Sequence, residues 1–182
     1  MTNKLKLRKM VLVSLFAAVM CIFAPFTLPI GIVPLSLSTF VLYLTAVILG
    51  KSAIFPILVY ILIGAVGLPV FSGGVGGLER IFGPTGGFIL GYIPCAVISG
   101  YFADRFRFNK ALCFIGIFTG TVIMYLLGVP WMLYDLGIKS VRGIISVLTV
   151  NILPFIPVDI IKMILAVLLG FQIKNRLTKK CG

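Results

Sequence analysis

From Met10 to Gly50 the chain carries no charged residue. A water-soluble fold has no use for so long an apolar stretch, whereas two bilayer-crossing helices need one: about 20 apolar residues each, at about 1.5 Å of rise per residue. The remaining sequence keeps the pattern. Of 182 residues, 60% are hydrophobic and 11% charged, and the mean hydropathy is +1.21. Too little polar surface is left to face water. The expected class is an all-α integral membrane protein, with residues 1–182 forming a single membrane-embedded substrate-binding domain.

Charges and prolines divide the apolar sequence into six segments. Pro25, Pro29, Gly31 and Pro34 interrupt the first run, so one span should end near 24–27 and the next should cover 34–49. Further spans are predicted at 52–71, 84–103, 111–128 and 157–173. Between the last two, residues 140–150 read as a short helix lying at the interface or folded back into the protein; a seventh span there would carry Lys139 and Arg142 at its edge, which favours a count of six. Lys4, Lys6, Arg8 and Lys9 before an apolar run have the layout of a secretory signal. No small-x-small cleavage site follows, so this first helix is expected to be retained.

Six spans with both termini in the cytoplasm segregate the charges. The inner side then holds Lys4, Lys6, Arg8, Lys9, Lys51, Arg105, Arg107, Lys110, Lys174, Arg176, Lys179 and Lys180, twelve of the 16 basic residues. The outer side holds Arg80, Lys139 and Arg142, and Lys162 falls within the sixth span. That bias is what the positive-inside rule requires. It accounts for the net charge of +12 through topology and contact with anionic membrane lipid, with no nucleic acid partner.

Several chemistries lack raw material. The chain has no histidine and only four acidic residues, Glu79, Asp104, Asp135 and Asp159. Metal centres, Ser-His-Asp triads and carboxylate-pair hydrolysis are therefore not expected, and no phosphate-binding G-x-x-x-x-G-K-[ST] loop occurs. Cys21, Cys95, Cys113 and Cys181 show no C-x-x-C spacing and read as free thiols. Neither a catalytic residue nor a metal or cofactor is predicted.

The sixth span holds the exception to its surroundings. In Leu153-Pro-Phe-Ile-Pro-Val-Asp-Ile-Ile-Lys162, a carboxylate and an ammonium stand three residues apart, on one helical face. Ionisable groups inside a membrane segment are costly and mark functional sites. The ordinary alternative is an acidic residue complementing the helix dipole and a lysine reaching for the interface. The pair is expected about one turn below the outer surface, near the wet end of a pocket, where either member tolerates replacement. Ser38 and Thr39, beside Ser36, are candidates to line that pocket, although hydroxyls in membrane helices often bond the preceding turn. Asn151 and Tyr92 are further candidate polar contacts. The glycines of Gly83-Pro-Thr-Gly-Gly87 permit close approach of a helix or of a ligand, which makes Gly87 a candidate. Ser72–Gly77 reads as a turn or as a cover over a ligand. In the first span, Ser14-x-x-x-Ala18 and Ala17-x-x-x-Cys21 are small-residue registers suited to internal packing or to docking another membrane protein.

Four blocks taken together carry a resemblance: Pro34–Phe40 (PLSLSTF), Gly64–Phe71 (GAVGLPVF), Gly83–Phe88 (GPTGGF) and Leu153–Lys162 (LPFIPVDIIK). In order and spacing they resemble the BioY family, the biotin-specific S components of energy-coupling-factor (ECF) vitamin transporters. Ser38 stands where the family commonly has glutamine, Phe88 where tyrosine is usual. The alanine motif of the first span is reduced to Ser14, Ala18 and Cys21. The resemblance implies a six-helix subunit of the bacterial cytoplasmic membrane that captures biotin from outside. It then joins a transmembrane scaffold subunit and two cytoplasmic ATPases, and is itself not an enzyme. Asp159 and Lys162 fall on the family's aspartate and lysine, and the small residues of the first span on its scaffold-docking face. Biotin suits the chemistry: a carboxylate such as Asp159 accepts ureido N–H groups, and Lys162 serves the ureido carbonyl or the valerate. The competing expectation is a proton-coupled secondary transporter using Asp159 and Lys162 as a relay, which usually brings internal repeats.

Overall fold

A computed structural model describes residues 2–28, 35–107, 109–151 and 153–179. Apart from its connecting turns, the described chain is helical except for one two-residue ladder and an isolated bridge between Phe71 and Val75. In order the elements are α1 (Thr2–Phe23), β1 (Thr27–Leu28), β2 (Leu35–Ser36), α2 (Ser38–Leu49), a 3₁₀ turn (Gly50–Ala53), α3 (Ile54–Ala65), α4 (Leu78–Phe82), α5 (Gly86–Arg105), α6 (Lys110–Asp135), α7 (Val141–Asn151) and α8 (Phe155–Lys179). Four described stretches are long and apolar enough to cross a membrane: 38–65, 86–105, 110–135 and 141–176.

The first of these stretches is not one rod. Ser38 Oγ lies 2.7 Å from the Tyr92 hydroxyl, and the Tyr60 ring lies 6.5 Å from the Tyr92 ring. A continuous helix would hold Ser38 and Tyr60 about 33 Å apart. The chain therefore doubles back between them, at Gly50, whose φ of +58° suits glycine. Packing against Asp104 leaves no room for a side chain there.

That turn belongs to a polar knot at one end of the bundle. Lys51 N donates to Asp104 Oδ2 at 2.8 Å. Lys174 Nζ, from the far end of α8, donates to the Val47 carbonyl at 3.1 Å and the Ala103 carbonyl at 3.4 Å. Carbonyls that the last turns of α2 and α5 cannot satisfy internally are thus supplied by α8. These three helices run in the same direction, and their N-terminal halves converge at the opposite end of the bundle.

The core is drawn from α1, α2, α3, α5, α6 and α8, with Met20, Leu42, Tyr43, Ile57, Cys95, Ile117 and Ala166 fully enclosed. Large apolar side chains also cover the outer surface, among them Leu62, Phe118, Leu126, Ile161 and Leu165. In water such a surface would drive aggregation, and in a bilayer it is the correct solvent-facing layer. The chain is a multi-pass membrane protein.

Several boundaries differ from the expectation: α2 begins at Ser38 instead of 34, α3 ends at Ala65 instead of 71, and α8 runs on to Lys179 instead of ending near 173. α6 continues through Pro130 to Asp135 instead of stopping near 128. Tertiary contacts extend it: Trp131 Nε1 donates to the Gly83 carbonyl at 3.0 Å, and Met132 is fully buried. Neighbouring packing makes a proline tolerable inside a membrane helix. α8 begins at Phe155, which puts Pro157 in the first turn, where the missing N–H has no cost. Asp159 lies beyond that first turn, so a helix-dipole role does not account for it. α7 occupies 141–151, as expected for the short helix.

The first span corrects one expectation. Ala17 is 4% exposed and shares a buried face with Met20 and Ala24, at the i, i+3, i+7 spacing of a core stripe. It cannot belong to an outward docking face. Ser14 and Ala18 are exposed and Cys21 is half-buried.

Candidate ligand-binding site

Phe155, Asp159 and Lys162 follow one another at i, i+4 and i+7 on α8, so all three face the same way, and all three line one cavity. Asp159 is 3% exposed and Lys162 7%, and their ion pair measures 3.3 Å. Burial this deep demands that every donor and acceptor be matched. Lys162 Nζ donates to the Ser36 carbonyl at 2.7 Å, to Thr39 Oγ1 at 3.0 Å and to Asp159 Oδ1 at 3.3 Å. An ammonium has three hydrogens, so Lys162 is fully committed. Asp159 accepts from the Tyr125 hydroxyl at 2.7 Å on Oδ2 and from Thr39 at 3.3 Å on Oδ1.

The loop before α2 positions the acceptor for Lys162. The β1–β2 ladder pairs Thr27 with Ser36, and Ser36 Oγ donates to the Ala24 carbonyl at 3.0 Å. Ser36 Oγ and Ser38 Oγ lie 2.8 Å apart, and Ser38 reaches Tyr92 of α5. Hydroxyls from three segments thus form one connected network around the ion pair, which fixes rotamers as well as satisfying polar atoms.

Five apolar side chains, Phe71, Phe88, Ile89, Met124 and Phe155, wall the cavity above this network. The Phe88 ring meets the Tyr125 ring edge-on with centroids 5.9 Å apart. Ser72, Arg80 and Thr85 complete the lining. The segment before α4 is a built turn: Phe71 N donates to the Val75 carbonyl at 2.9 Å, and Gly77 N to the Gly64 carbonyl at 2.7 Å. Phe71 is 1% exposed, and its ring takes the space that a side chain on Gly64 would need. The open volume left between all these groups is ≈ 50 Å³.

Of the residues singled out in the sequence, Asp159, Lys162, Tyr92, Ser38 and Thr39 meet in this cavity. Gly87 does not line it. Its Cα faces Trp131 and Leu127 of α6, so the close approach glycine permits is given to a helix. Asn151 closes α7, and its side chain lies outside the described residues. Tyr125, Arg80, Thr85 and Phe71 were not anticipated. No metal-binding cluster of His, Cys, Asp or Glu occurs among the described residues.

An apolar-walled cavity with a charge pair and hydroxyls at its closed end is built to hold a small molecule whose polar head carries both donors and acceptors. The BioY family model matches residues 1–179. The chain belongs to the BioY family. It is 33% identical over 174 residues to the biotin transporter BioY2 of Lactococcus lactis subsp. cremoris, covering 95% of this chain and 93% of that protein. To the biotin transporter BioY of Thermotoga maritima it is 32% identical over 170 residues, 93% of this chain and 97% of the relative. Its fold also matches the crystal structure at 2.1 Å of the S-component for biotin from an ECF-type ABC transporter. That match has a TM-score of 0.85, with 25% identity over 96% of this chain and 95% of the other. In this BioY-family chain the cavity is lined from β2, α2, the Phe71 turn, α4, α5, α6 and α8.

Proposed function

We propose that the chain is the biotin-binding substrate-specificity subunit of an ECF-type vitamin transporter, a non-enzymatic membrane protein that captures biotin from the outer face of the cytoplasmic membrane. Residues 1–182 act as a single membrane-embedded domain. Six of its helices, α1, α2, α3, α5, α6 and α8, cross the bilayer, with both termini inside. The polar knot of Asp104, Lys51 and Lys174 then lies at the cytoplasmic end, beside Arg105, Arg107 and Lys110, in keeping with the positive-inside rule. The cavity opens towards the other face. Transport requires a transmembrane scaffold subunit and two cytoplasmic ATPases, which supply the ATP hydrolysis. No cofactor takes part.

The observation that carries the reading is the buried Asp159–Lys162 pair lining a cavity in a chain whose relatives are named biotin transporters. In this reading Asp159, with Tyr92, Ser38 and Thr39 around it, receives the ureido head of biotin. Its carboxylate accepts the ring N–H groups as charge-assisted hydrogen bonds, and the apolar wall takes the thioether ring.

Labelled biotin added to the purified chain in mild detergent tests this. Saturable binding, competed by unlabelled biotin and not by unrelated vitamins, is the expected result, and its absence from folded protein would overturn the reading. Reconstitution with the scaffold and ATPases separates it from the proton-coupled alternative. Uptake should require ATP and all partner subunits, and uptake driven by a proton gradient alone would refute the subunit assignment.

A further inference from the structure

Thr85 is the described residue whose buried polar side-chain atom has no hydrogen-bond partner. It stands at the N-cap of α5, a 20-residue helix, but its hydroxyl makes no capping bond to that helix. It is 8% exposed and lines the cavity. A buried hydroxyl without a partner is rare in native proteins and calls for an explanation. A ligand atom supplies one.

The chemistry of that corner specifies the atom. Thr85 offers an O–H donor at the positive end of a helix dipole, where anions are favoured. Arg80 lines the same cavity and makes no hydrogen bond or ion pair with another described side chain. At the closed end, all three Lys162 hydrogens are in use and Asp159 would repel an anion. We infer that Thr85 and Arg80, at the positive end of the α5 dipole, hold the carboxylate of the ligand. This rests on the biotin reading above and deepens it by assigning the valerate end.

The spacing along α5 agrees. Thr85, Phe88, Ile89 and Tyr92 all line the cavity, a single face in which Tyr92 joins the inner polar network through Ser38. Seven residues of helix separate Thr85 from Tyr92 by about 10 Å. Bond lengths near 1.5 Å give biotin roughly the same distance between its ureido carbon and its carboxylate. Ureido and carboxylate can therefore occupy the two polar ends at once, with the apolar walls between them.

The test compares biotin with its neutral amide on purified wild-type, Thr85→Val, Thr85→Ser and Arg80→Gln chains. Valine matches threonine in shape and removes the hydroxyl. Thr85→Val should bind biotin about 10- to 150-fold more weakly, the range for a hydrogen bond to a charged group. Its affinity for biotin amide should fall far less, Thr85→Ser should restore biotin binding, and Arg80→Gln should also discriminate between acid and amide. Ligand-free Thr85→Val should unfold at the same or a higher temperature than wild type, since an unsatisfied hydroxyl is removed. Wild-type biotin binding with an unchanged Thr85→Val affinity would overturn the assignment, as would equal losses for acid and amide or a fall in ligand-free stability. A wild-type chain that binds no biotin would overturn the underlying functional reading, and this assignment with it.

Discussion

Lys162→Met provides the sharpest test of how the charge pair is held. The replacement keeps an unbranched side chain of similar length and removes the ammonium. Three hydrogen bonds disappear, to Ser36, Thr39 and Asp159, and a carboxylate 3% exposed loses its counter-charge. Asp159 also borders an apolar groove of ≈ 430 Å³ between α6 and α8, so little solvation is at hand from that side. Removing one partner of a buried pair costs about 3–5 kcal/mol. The surviving bonds from Tyr125 and Thr39 place the expected loss near the lower end. For a chain of this length each kcal/mol moves the midpoint by roughly 2–4 °C, so Lys162→Met should melt roughly 6–12 °C below wild type. In Asp159→Leu, Lys162→Met, no charge is stranded, and replacing both members of a buried pair is often nearly neutral. Most of the loss should then be recovered. With Cys21 and Cys181 replaced by serine, the remaining Cys95 and Cys113 are fully buried, so a thiol-reactive fluorophore reports unfolding directly in detergent. A single variant as stable as wild type, or a double variant no better than the single, would refute this account of the pair.

Asp159→Asn should weaken biotin about 10- to 150-fold by equilibrium binding, because a charge-assisted acceptor is lost, and Tyr125→Phe should act in the same direction by releasing that carboxylate from its anchor. An unchanged affinity in folded Asp159→Asn would remove this residue from the site. On α1, Ala18→Trp should impair co-purification with the scaffold while sparing biotin binding, whereas Ala17→Trp should fail to fold. If the two behave alike, the outward face of α1 has no docking role. In a cysteine-free background, Val75→Cys should react with an impermeant maleimide added to intact cells and Lys110→Cys should not. The reverse would invert the topology. Val75 suits this better than the neighbouring Gly76, where a side chain would meet the Leu68 carbonyl.

The inner half of the site was legible because it breaks a pattern. A carboxylate and an ammonium three residues apart in an apolar helix leave few explanations, and Ser38 and Thr39 stand out at a helix start. Their depth was not legible. The expectation that the pair sits near a wet opening fails because Ser36, Thr39 and Tyr125 arrive from elements distant in sequence and enclose it. Tyr125 and Thr85 carried no signal of their own, since tyrosine and threonine recur throughout this chain, inside the site and outside it. Gly87 misled for a related reason: a glycine that admits Trp131 and one that admits a ligand are the same letter. The end of α6 was misplaced because Pro130 reads locally as a stop, while Trp131 and Met132 have tertiary partners that keep the helix going.

The cavity volume leads to the last prediction. Sites for small organic ligands run to roughly 300–1,000 Å³, and ≈ 50 Å³ is open here, so binding has to displace part of the wall. The C-terminal ends of α2 and α5 are joined to each other and to the last turns of α8 by the Asp104 and Lys174 bonds, which disfavours spreading at that end. At the opposite end, Phe71 is carried on a turn held by its pairing with Val75 and by the slot over Gly64. Its ring also meets Tyr60 edge-on at 5.5 Å. Phe71 is therefore the wall element expected to swing out for entry and to return over the bound ligand. Gly64→Ala puts a methyl group into the slot and should disfavour the returned position by about 1–3 kcal/mol, the usual cost of overpacking. Biotin dissociation should accelerate roughly 5- to 150-fold, tenfold for each 1.36 kcal/mol, with association changed much less. Gly64→Ala, Phe71→Leu, with a smaller side chain over the same slot, should recover part of the residence time. The readout is the release of labelled biotin into excess unlabelled ligand. An unchanged release rate in Gly64→Ala would mean that Phe71 is a fixed part of the core, and that room for the ligand comes from the helices after all.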